Sequence, residues 1–252
     1  MCLLAFAWQV DDQPLLLLGN RDEFHVRPTR PAGFWDDRGH PQLLAGQDLQ
    51  AGGTWLGVTR NGRFACLTNI RSGNRVEGVR SRGSLVLDYL LGSTAPEVYL
   101  QALQAQAGDY GGFNLLVGDS QQLWHLHSHG AIVQAVEPGL HVLSNADLDS
   151  PWPKACALRD GLQHHLHASD QQLLALLTDS RQYPDEQLPD TGVPLAWERR
   201  LSAAFILGEE YGTRACSLLR LQASGEVSFI ERRFAAQGMS AGEQRWQFSV
   251  TG

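Results

Sequence analysis

The stretch that decides the fold runs from residue 2 to residue 24 and reads CLLAFAWQVDDQPLLLLGNRDEF. An apolar run from Cys2 to Val10 is followed by the turn Asp11-Asp12-Gln13-Pro14 and by a second apolar run from Leu15 to Gly19. Turn residues between two apolar runs predict a β-hairpin. Because both runs are almost continuously apolar, we expect strands that are covered on both faces.

The rest of the chain alternates groups of strands with groups of helices. Strands are predicted over 54–59 and 63–70, on either side of Asn61-Gly62, a dipeptide typical of hairpin turns. Further strands are predicted over 113–118, 121–127, 131–136, 141–144, 215–222, 227–234 and 245–250, and helices over 84–91, 96–107, 153–167 and 170–178. The three prolines of 183–194 predict a loop. Without regular βαβ alternation, this order favours antiparallel sheets with helices in outer layers.

Composition excludes several classes of protein. The chain has 252 residues with 20 basic and 27 acidic side chains, a formal net charge of −7, and no run typical of collagen or of a disordered protein. The absence of a basic patch argues against nucleic acid as a partner. With no repeat and no Ser/Pro-rich linker, one domain over residues 1–252 is the simplest organisation.

The cysteines and the amino-terminal residues indicate the cellular compartment in which the protein is expected. The four cysteines form no CxxC pair and no regular spacing, so neither a zinc ribbon nor a disulfide framework is indicated. The first apolar run is too short to span a bilayer and lacks the basic start of a signal peptide. We therefore expect a soluble cytoplasmic protein without an integral membrane segment.

Cys2 is the first candidate for chemistry. If the initiator methionine is removed, the mature chain begins with a thiol and an α-amine on one residue, and the amine serves as base for its own side chain. The alternative is a small core residue on a buried strand, which is the usual place of a free cysteine.

The second candidate is the polar run Asn20-Arg21-Asp22-Glu23 at the end of the predicted hairpin. In a hairpin the end of the second strand lies beside the start of the first, so Arg21 and Asp22 are expected beside Cys2. Arg21 would then lower the pKa of the thiol, and Asp22 would hold the α-amine or orient Arg21. The alternative is a solvated turn.

Together these residues resemble a known family, the NRDE family, or Transport and Golgi organisation 2 type. The resemblance covers nearly the whole chain, and its motifs occur in the same order. They are Cys2, Asn20-Arg21-Asp22-Glu23-Phe24 with Arg27-Pro28, Gly52-Gly53-Thr54-Trp55-Leu56-Gly57, Leu67-Thr68-Asn69, Gly112-Phe113-Asn114-Leu115, Leu143-Ser144-Asn145, Pro151-Trp152-Pro153-Lys154 and Tyr211-Gly212-Thr213-Arg214.

The resemblance implies an α+β fold, a four-layer αββα sandwich of antiparallel sheets similar to N-terminal nucleophile hydrolases. It also implies a site with Cys2 as nucleophile and Arg21 and Asp22 beside it. Asn69 and Asn145 would form the oxyanion site, and Arg214 would contribute a late arginine. The candidate ligand-binding residues are Asn20, Glu23, Trp55 and Asn114.

Two functions stay open at this level. One is cleavage or transfer of acyl groups from amides or thioesters by Cys2; the other is non-catalytic binding and trafficking of acyl-CoA, another lipid or haem. His125, His127 and His129 alternate, but with no acidic or thiol ligand nearby they are interpreted as a polar outer strand face rather than a metal site. No metal and no cofactor are expected.

Overall fold

The computed structural model describes residues 2–74 and 78–251. The strands are β1 Cys2–Val10, β2 Gln13–Phe24, β3 Thr29–Trp35, β4 His40–Asp48, β5 Leu56–Thr59, β6 Phe64–Asn69, β7 Phe113–Gly118, β8 Leu123–His127, β9 Ile132–Ala135, β10 Gly139–Leu143, β11 Tyr211–Leu221, β12 Glu226–Phe234 and β13 Ser240–Ser249. The α-helices are α1 Gly83–Leu91, α2 Pro96–Gln104, α3 Pro153–His164, α4 Asp170–Leu176 and α5 Leu195–Leu201.

The strands form two antiparallel sheets that pack face to face. The first has the order β10-β1-β2-β11-β12-β13, and the second the order β3-β4-β5-β6-β7-β8-β9. One apolar cluster fills the space between the sheets, a second joins the first sheet to α3 and α4, and a third joins the second sheet to α1 and α2. The result is the αββα sandwich that the resemblance implied.

The β1–β2 hairpin shows why its sequence is almost continuously apolar. Leu4 and Phe6 face the second sheet, whereas Leu3 and Ala5 face the helices α3 and α4. Because side chains alternate between the two faces of a strand, a strand covered on both faces needs apolar residues at every position. The predicted hairpin is confirmed, and β2 extends beyond the predicted Gly19 through the whole polar run to Phe24.

Three elements differ from the prediction. The sequence indicated neither β3 nor β4, and α5 was not predicted either. β3 is an edge strand that contains Pro31 and Gly33, two residues that weaken a strand signal. α5 is only seven residues long and begins directly after Pro194, so it gives little periodic signal.

Across residues 2–74 and 78–251, none of the helices has the length and apolar character needed to cross a membrane.

Candidate active site

Cys2 lies opposite Arg21 at the open end of the β1–β2 hairpin. The two residues are partners in the antiparallel register, and Leu4 pairs with Gly19 one step further along the same face. Because paired residues and alternate residues share a face, Cys2 and Arg21 point into the space between the sheets. Cys2 is half-buried there.

Arg21 is held against an aromatic ring and keeps a free donor. Its guanidinium carbon lies 4.2 Å from the centre of the Trp55 ring, and the residue is only 6% exposed. Within residues 2–74 and 78–251, its Nη1 has no hydrogen-bond partner. A buried guanidinium N–H without a partner is costly unless a ligand occupies that position. Arg21 therefore presents an N–H donor to whatever binds beside Cys2.

Asp22 lies on the opposite face of β2, toward the helices. Its Oδ1 accepts a 2.6 Å hydrogen bond from the Thr213 hydroxyl, and that hydroxyl in turn accepts a 2.9 Å hydrogen bond from the backbone N–H of Ile206. Thr213 pairs with Asp22 in the register and precedes an irregularity in β11 before Ala215. The Thr213 hydroxyl therefore connects the Asp22 carboxyl to Ile206, in the segment that follows α5.

Asn69 and Asn145 are brought together where the two sheets end. The Asn145 Nδ2 donates a 2.8 Å hydrogen bond to the backbone carbonyl of Asn69, and the backbone N–H of Arg71 donates one of 2.8 Å to the carbonyl of Asn145. Arg71 also forms a buried ion pair with Glu198, with 2.6 Å between Nη1 and Oε2. One amide N–H of Asn145 is thus used to join the sheets.

Lys154 completes this buried cluster from the first turn of α3. The residue is 3% exposed, and its Nζ donates a 2.8 Å hydrogen bond to the backbone carbonyl of Leu201. Its charge interacts with those of Asp22 and Cys2. Burial lowers the pKa of this amine to about 7, so Lys154 is only partly charged near neutral pH.

Burial dominates the electrostatics of the site. It raises the pKa of the Cys2 thiol, and the Asp22 charge acts in the same direction while the Arg21 charge opposes it. The predicted lowering by Arg21 therefore exists but is outweighed by burial. Burial also raises the pKa of Asp22, against the charges of Lys154 and Arg71. A raised thiol pKa means that Cys2 needs a proton acceptor to react as a thiolate.

The other predicted residues occupy supporting positions around this centre. The Asn20 amide points away from Cys2 and donates 2.8 Å hydrogen bonds to the carbonyls of Leu177 and Ala204. Arg214 donates to the carbonyls of Phe24, at 3.1 Å, and Arg27, at 2.8 Å. The two hydrogen bonds of Arg214 thus stabilise the turn that follows β2.

Glu23 lies at the edge of the same turn. It accepts a 2.9 Å hydrogen bond from the backbone N–H of Phe24 and is 4.0 Å from the Arg27 guanidinium. The roles assigned to Asn20, Glu23 and Arg214 in ligand binding or catalysis stay predictions.

Asn114 forms the centre of a second polar network, on the face of the second sheet that looks toward the first. Its Nδ2 donates to the Thr68 hydroxyl and to the Ala146 carbonyl, and its Oδ1 is bonded to His125, at 3.1 Å, and His127, at 2.7 Å. Both the Nδ2 and the Oδ1 of Asn114 are therefore hydrogen-bonded to neighbouring protein groups. A role of Asn114 in ligand binding stays a prediction.

The interpretation of the histidines as a polar outer strand face is wrong for His125. This residue is fully buried, because it lies on the inner face of β8 with Leu123. Burial lowers its pKa to about 4, so the ring is neutral near pH 7. Among the described residues, no group of three or more His, Cys, Asp or Glu side chains has a geometry that would hold a metal ion.

Sequence reasoning missed three residues of the site. Arg71 and Glu198 have no local signal, because their pairing depends on how the loop after β6 meets α5. Lys154 does have a signal in the sequence, because it is the only lysine in the chain and lies in a motif shared with the NRDE family.

A cleft of about 510 Å³ lies beside the turn Asp11-Asp12, at the opposite end of the hairpin from Cys2. It is lined by none of the predicted site residues.

Comparison with solved structures identifies the fold. The Caenorhabditis elegans ortholog of N-acylethanolamine-hydrolyzing acid amidase superposes with a TM-score of 0.52, over 82% of this chain and 100% of the amidase chain. The sequences are 13% identical, so the similarity concerns the fold. The N-terminal nucleophile hydrolase-like fold is confirmed.

Comparison of sequences identifies the family. The chain is 31% identical to the Transport and Golgi organization protein 2 homolog of Bos taurus, over 98% of this chain and 96% of the relative. It is also 31% identical to the Homo sapiens homolog, over 99% of both chains, and 28% identical to the Drosophila melanogaster protein. The family Transport and Golgi organisation 2 matches residues 1–236. With its amino-terminal cysteine, its NRDE run and its αββα fold, the chain belongs to the Transport and Golgi organisation 2 family.

Proposed function

We propose that this protein cleaves or transfers acyl groups from amides or thioesters, with Cys2 as the nucleophile. The observation that carries the proposal is the free Nη1 of Arg21 beside a half-buried thiol. A thiol and an unpaired N–H donor that face the same space are the two groups that acyl transfer requires, one to attack the carbonyl carbon and one to bind the carbonyl oxygen.

In the proposed reaction, the Cys2 Sγ attacks the acyl carbon while Arg21 donates a hydrogen bond to the developing oxyanion. The Asn145 amide has a second N–H besides the one that binds the Asn69 carbonyl, and this N–H is the second proposed oxyanion donor. Collapse of the tetrahedral intermediate breaks the bond between the acyl carbon and the leaving group. The leaving group takes up the proton that the Cys2 thiol gave up and departs as an amine or thiol, and the acyl group stays on Cys2. Water, or another acceptor, then takes the acyl group.

An acyl chain is the proposed substrate group because apolar residues surround the open end of the hairpin. Phe24 and Leu49 are each more than one third exposed, and Val26 is 89% exposed. The backbone N–H of Leu49 bonds to the Pro28 carbonyl, so the loops that carry these residues are neighbours. Exposed apolar side chains beside a polar site are typical of a surface that binds an apolar group. The same surface supports the alternative function, binding of acyl-CoA or another lipid without turnover.

The test is acyl release from a panel of N-acyl amides and acyl-CoA thioesters, measured by mass spectrometry. We expect wild-type protein to release the acyl group and to carry a transient acyl adduct on the peptide that contains Cys2. Cys2→Ala is expected to abolish both signals. Cys156→Ala is the matched control, because Cys156 is also a half-buried free thiol, and it is expected to keep the wild-type rate.

Two results would contradict the proposal. Stoichiometric binding of acyl-CoA without release, in wild type and Cys2→Ala alike, would favour the carrier function. A haem titration that shifts the Soret band in a Cys2-dependent way, without acyl turnover, would favour haem binding instead. Mass spectrometry of the intact amino terminus adds a separate result, because retained Met1 would exclude the Cys2 α-amine as the base.

A further inference from the structure

The segment that follows β10 starts next to the beginning of β1 and carries Asn145. Leu143, the last residue of β10, pairs with Leu4 of β1, and both side chains face the space between the sheets. Asn145 and Cys2 each lie two residues from this pair, toward the same end of the sheet. Residues 144–148 have no helical or strand structure, and Asn145 is buried. The direction of the Asn145 amide therefore depends on the groups that hold this segment.

Asn114 holds the segment from the second sheet. Its Nδ2 donates a 2.7 Å hydrogen bond to the carbonyl of Ala146, the residue after Asn145, and one of 3.1 Å to the Thr68 hydroxyl. The Asn114 side chain is fully buried. Because a carbonyl oxygen only accepts hydrogen bonds, the amide atom that faces Ala146 is the nitrogen, and the Oδ1 faces the other way.

Two histidines fix the Asn114 amide in this orientation. The Oδ1 lies 3.1 Å from the Nε2 of His125 and 2.7 Å from the Nδ1 of His127. Since an amide oxygen carries no hydrogen, both rings must donate, so His125 is protonated on Nε2 and His127 on Nδ1. The Nδ1 of His125 is then an acceptor, and the Gln134 amide lies 3.5 Å from it. Burial lowers the pKa of both rings, which favours these neutral forms.

The network gives the Asn114 amide a single orientation. Both hydrogens of Nδ2 and both lone pairs of Oδ1 have a partner. A half-turn of the amide would set its oxygen against the Ala146 carbonyl and its N–H groups against the ring N–H groups. Buried polar groups without partners are costly, whereas a fully satisfied buried network is rigid. Asn114 therefore fixes the position of the Ala146 carbonyl.

We propose that Asn114 is a positioning residue for Asn145: oriented by His125 and His127, it holds the Ala146 carbonyl and with it the segment that aims the Asn145 amide. This inference rests on the function proposed above, in which the second N–H of Asn145 binds the oxyanion. In this role the two histidines act only as hydrogen-bond donors, and neither exchanges a proton during the reaction.

The first test concerns the protonation of the two rings and needs no substrate. In protein labelled with ¹⁵N-histidine, protonated and unprotonated ring nitrogens give separate NMR signals. The chain has nine histidines, and His125→Gln and His127→Asn identify the two rings by the loss of their signals. At pH 8 we expect the proton of His125 on Nε2 and that of His127 on Nδ1, the less common form of neutral imidazole. A His127 proton on Nε2 overturns the inference, because Nδ1 would have no hydrogen for Asn114.

The second test separates the oxyanion site from the thiol. Acylation of Cys2 by p-nitrophenyl acetate passes through a tetrahedral oxyanion, whereas alkylation by iodoacetamide does not. Both rates are measured at pH 8 by mass spectrometry of the amino-terminal peptide. Asn114→Asp keeps the shape of the side chain and an oxygen for the histidines, but it replaces the Nδ2 donor with an oxygen that the Ala146 carbonyl repels. We expect acylation to slow by about tenfold or more, and alkylation to keep the wild-type rate.

Variants of the histidines provide the rescue and the control. His127→Leu removes the donor to Asn114 and is expected to lower the ratio of acylation to alkylation by about tenfold. His127→Asn is expected to restore the wild-type ratio, because an asparagine amide can place an N–H where the Nδ1 of histidine lies. His129→Gln, at an exposed position of the same histidine row, should leave the ratio unchanged. An equal fall of both rates, or no fall of either, overturns the inference.

The position of Asn145 itself is followed through its side-chain amide signals in ¹⁵N-labelled protein. These signals are expected to move in His127→Leu and to stay in place in His129→Gln; unmoved signals in His127→Leu overturn the inference. If Asn114→Asp fails to fold, the ring signals and the two His127 variants decide the question.

The two proposals fail in different ways. If wild-type Cys2 is not acylated, the proposed function is overturned, while the ring protonation and the Asn145 signals still test the role of Asn114. If Cys2 is acylated but the ratio ignores His127→Leu and Asn114→Asp, only the inference is overturned.

Discussion

Arg21 and Asp22 are neighbours in the chain, but their side chains point to opposite faces of the first sheet. Strand alternation directs Arg21 toward the space between the sheets, with its guanidinium on Trp55, and directs Asp22 toward Thr213 in the helix-facing layer. Cys2 lies beside both residues, because the register pairs it with Arg21. The dipeptide therefore places one charged side chain on each face of the first sheet, at the end of the hairpin where Cys2 lies.

A prediction at the residue scale concerns His125. Because burial lowers its pKa from 6.5 to about 4, the unfolded chain binds more protons than the folded chain between these pH values. Stability from this residue is therefore complete above pH 6.5 and is lost as the pH falls toward 4, by about 3 kcal/mol. Urea unfolding at several pH values measures this slope.

His125→Gln tests the assignment, because glutamine keeps an N–H donor for Asn114 but does not titrate. It should flatten the slope between pH 6.5 and 4. His129→Gln, at an exposed histidine two residues beyond β8, should keep the wild-type slope. An unchanged slope in His125→Gln would show that other groups dominate acid unfolding.

At the scale of elements, the site depends on a close contact between β4 and the loop before β5. Gly46 lies under the Trp55 ring, and a Cβ at this position would be 2.5 Å from the Trp55 Cη2. The absence of a side chain at Gly46 lets Trp55 approach the sheet and present its face to Arg21. A strand that the sequence did not indicate thus supports one of the predicted site residues.

Gly46→Ala is therefore expected to displace Trp55 and to lower the free energy of unfolding by roughly 1–3 kcal/mol, the usual cost of overpacking. The matched control is Gly33→Ala on the adjacent strand β3, where a Cβ would have no atom within 4 Å. Urea unfolding of the two variants measures the difference. Equal stability of both would contradict the proposed contact between Gly46 and Trp55.

At the scale of the whole molecule, buried polar groups connect the layers around the site. Arg71 follows a strand of the second sheet, Asn145 follows a strand of the first, and Glu198 belongs to α5. The ion pair and hydrogen bonds among them join all three parts. The geometry of this polar cluster therefore depends on how the two sheets and α5 meet.

Glu198→Gln is expected to lower the free energy of unfolding by about 3–5 kcal/mol, because it leaves the Arg71 guanidinium buried without its counter-charge. Asp185→Asn is the control, since Asp185 forms an ion pair with Arg199 at the surface, with 2.5 Å between Nη2 and Oδ2. That variant is expected to keep the wild-type urea midpoint. A small effect of Glu198→Gln would contradict the structural role of the buried pair.

Local sequence patterns were sufficient for the hairpin and most of the later strands and helices. Alternation and turn chemistry act over a few residues, so the β1–β2 pairing and the proximity of Cys2 to Arg21 and Asp22 follow from the chain alone. The resemblance to the NRDE family predicted, in addition, the αββα fold and the candidate site residues Asn69 and Asn145. The unpredicted elements, β3, β4 and α5, are those whose local signal is weakened by proline, glycine or short length.

What the sequence by itself determined was therefore the central hairpin and the identity of the residues at its end. Only the tertiary structure decided that His125 is buried, that Arg71 pairs with Glu198, and that the single lysine is buried with its amine on the Leu201 carbonyl. The physical reason is the range of the interactions. Strand pairing across a tight turn is local, whereas burial and charge pairing depend on residues that are distant in the chain and meet only when the layers pack.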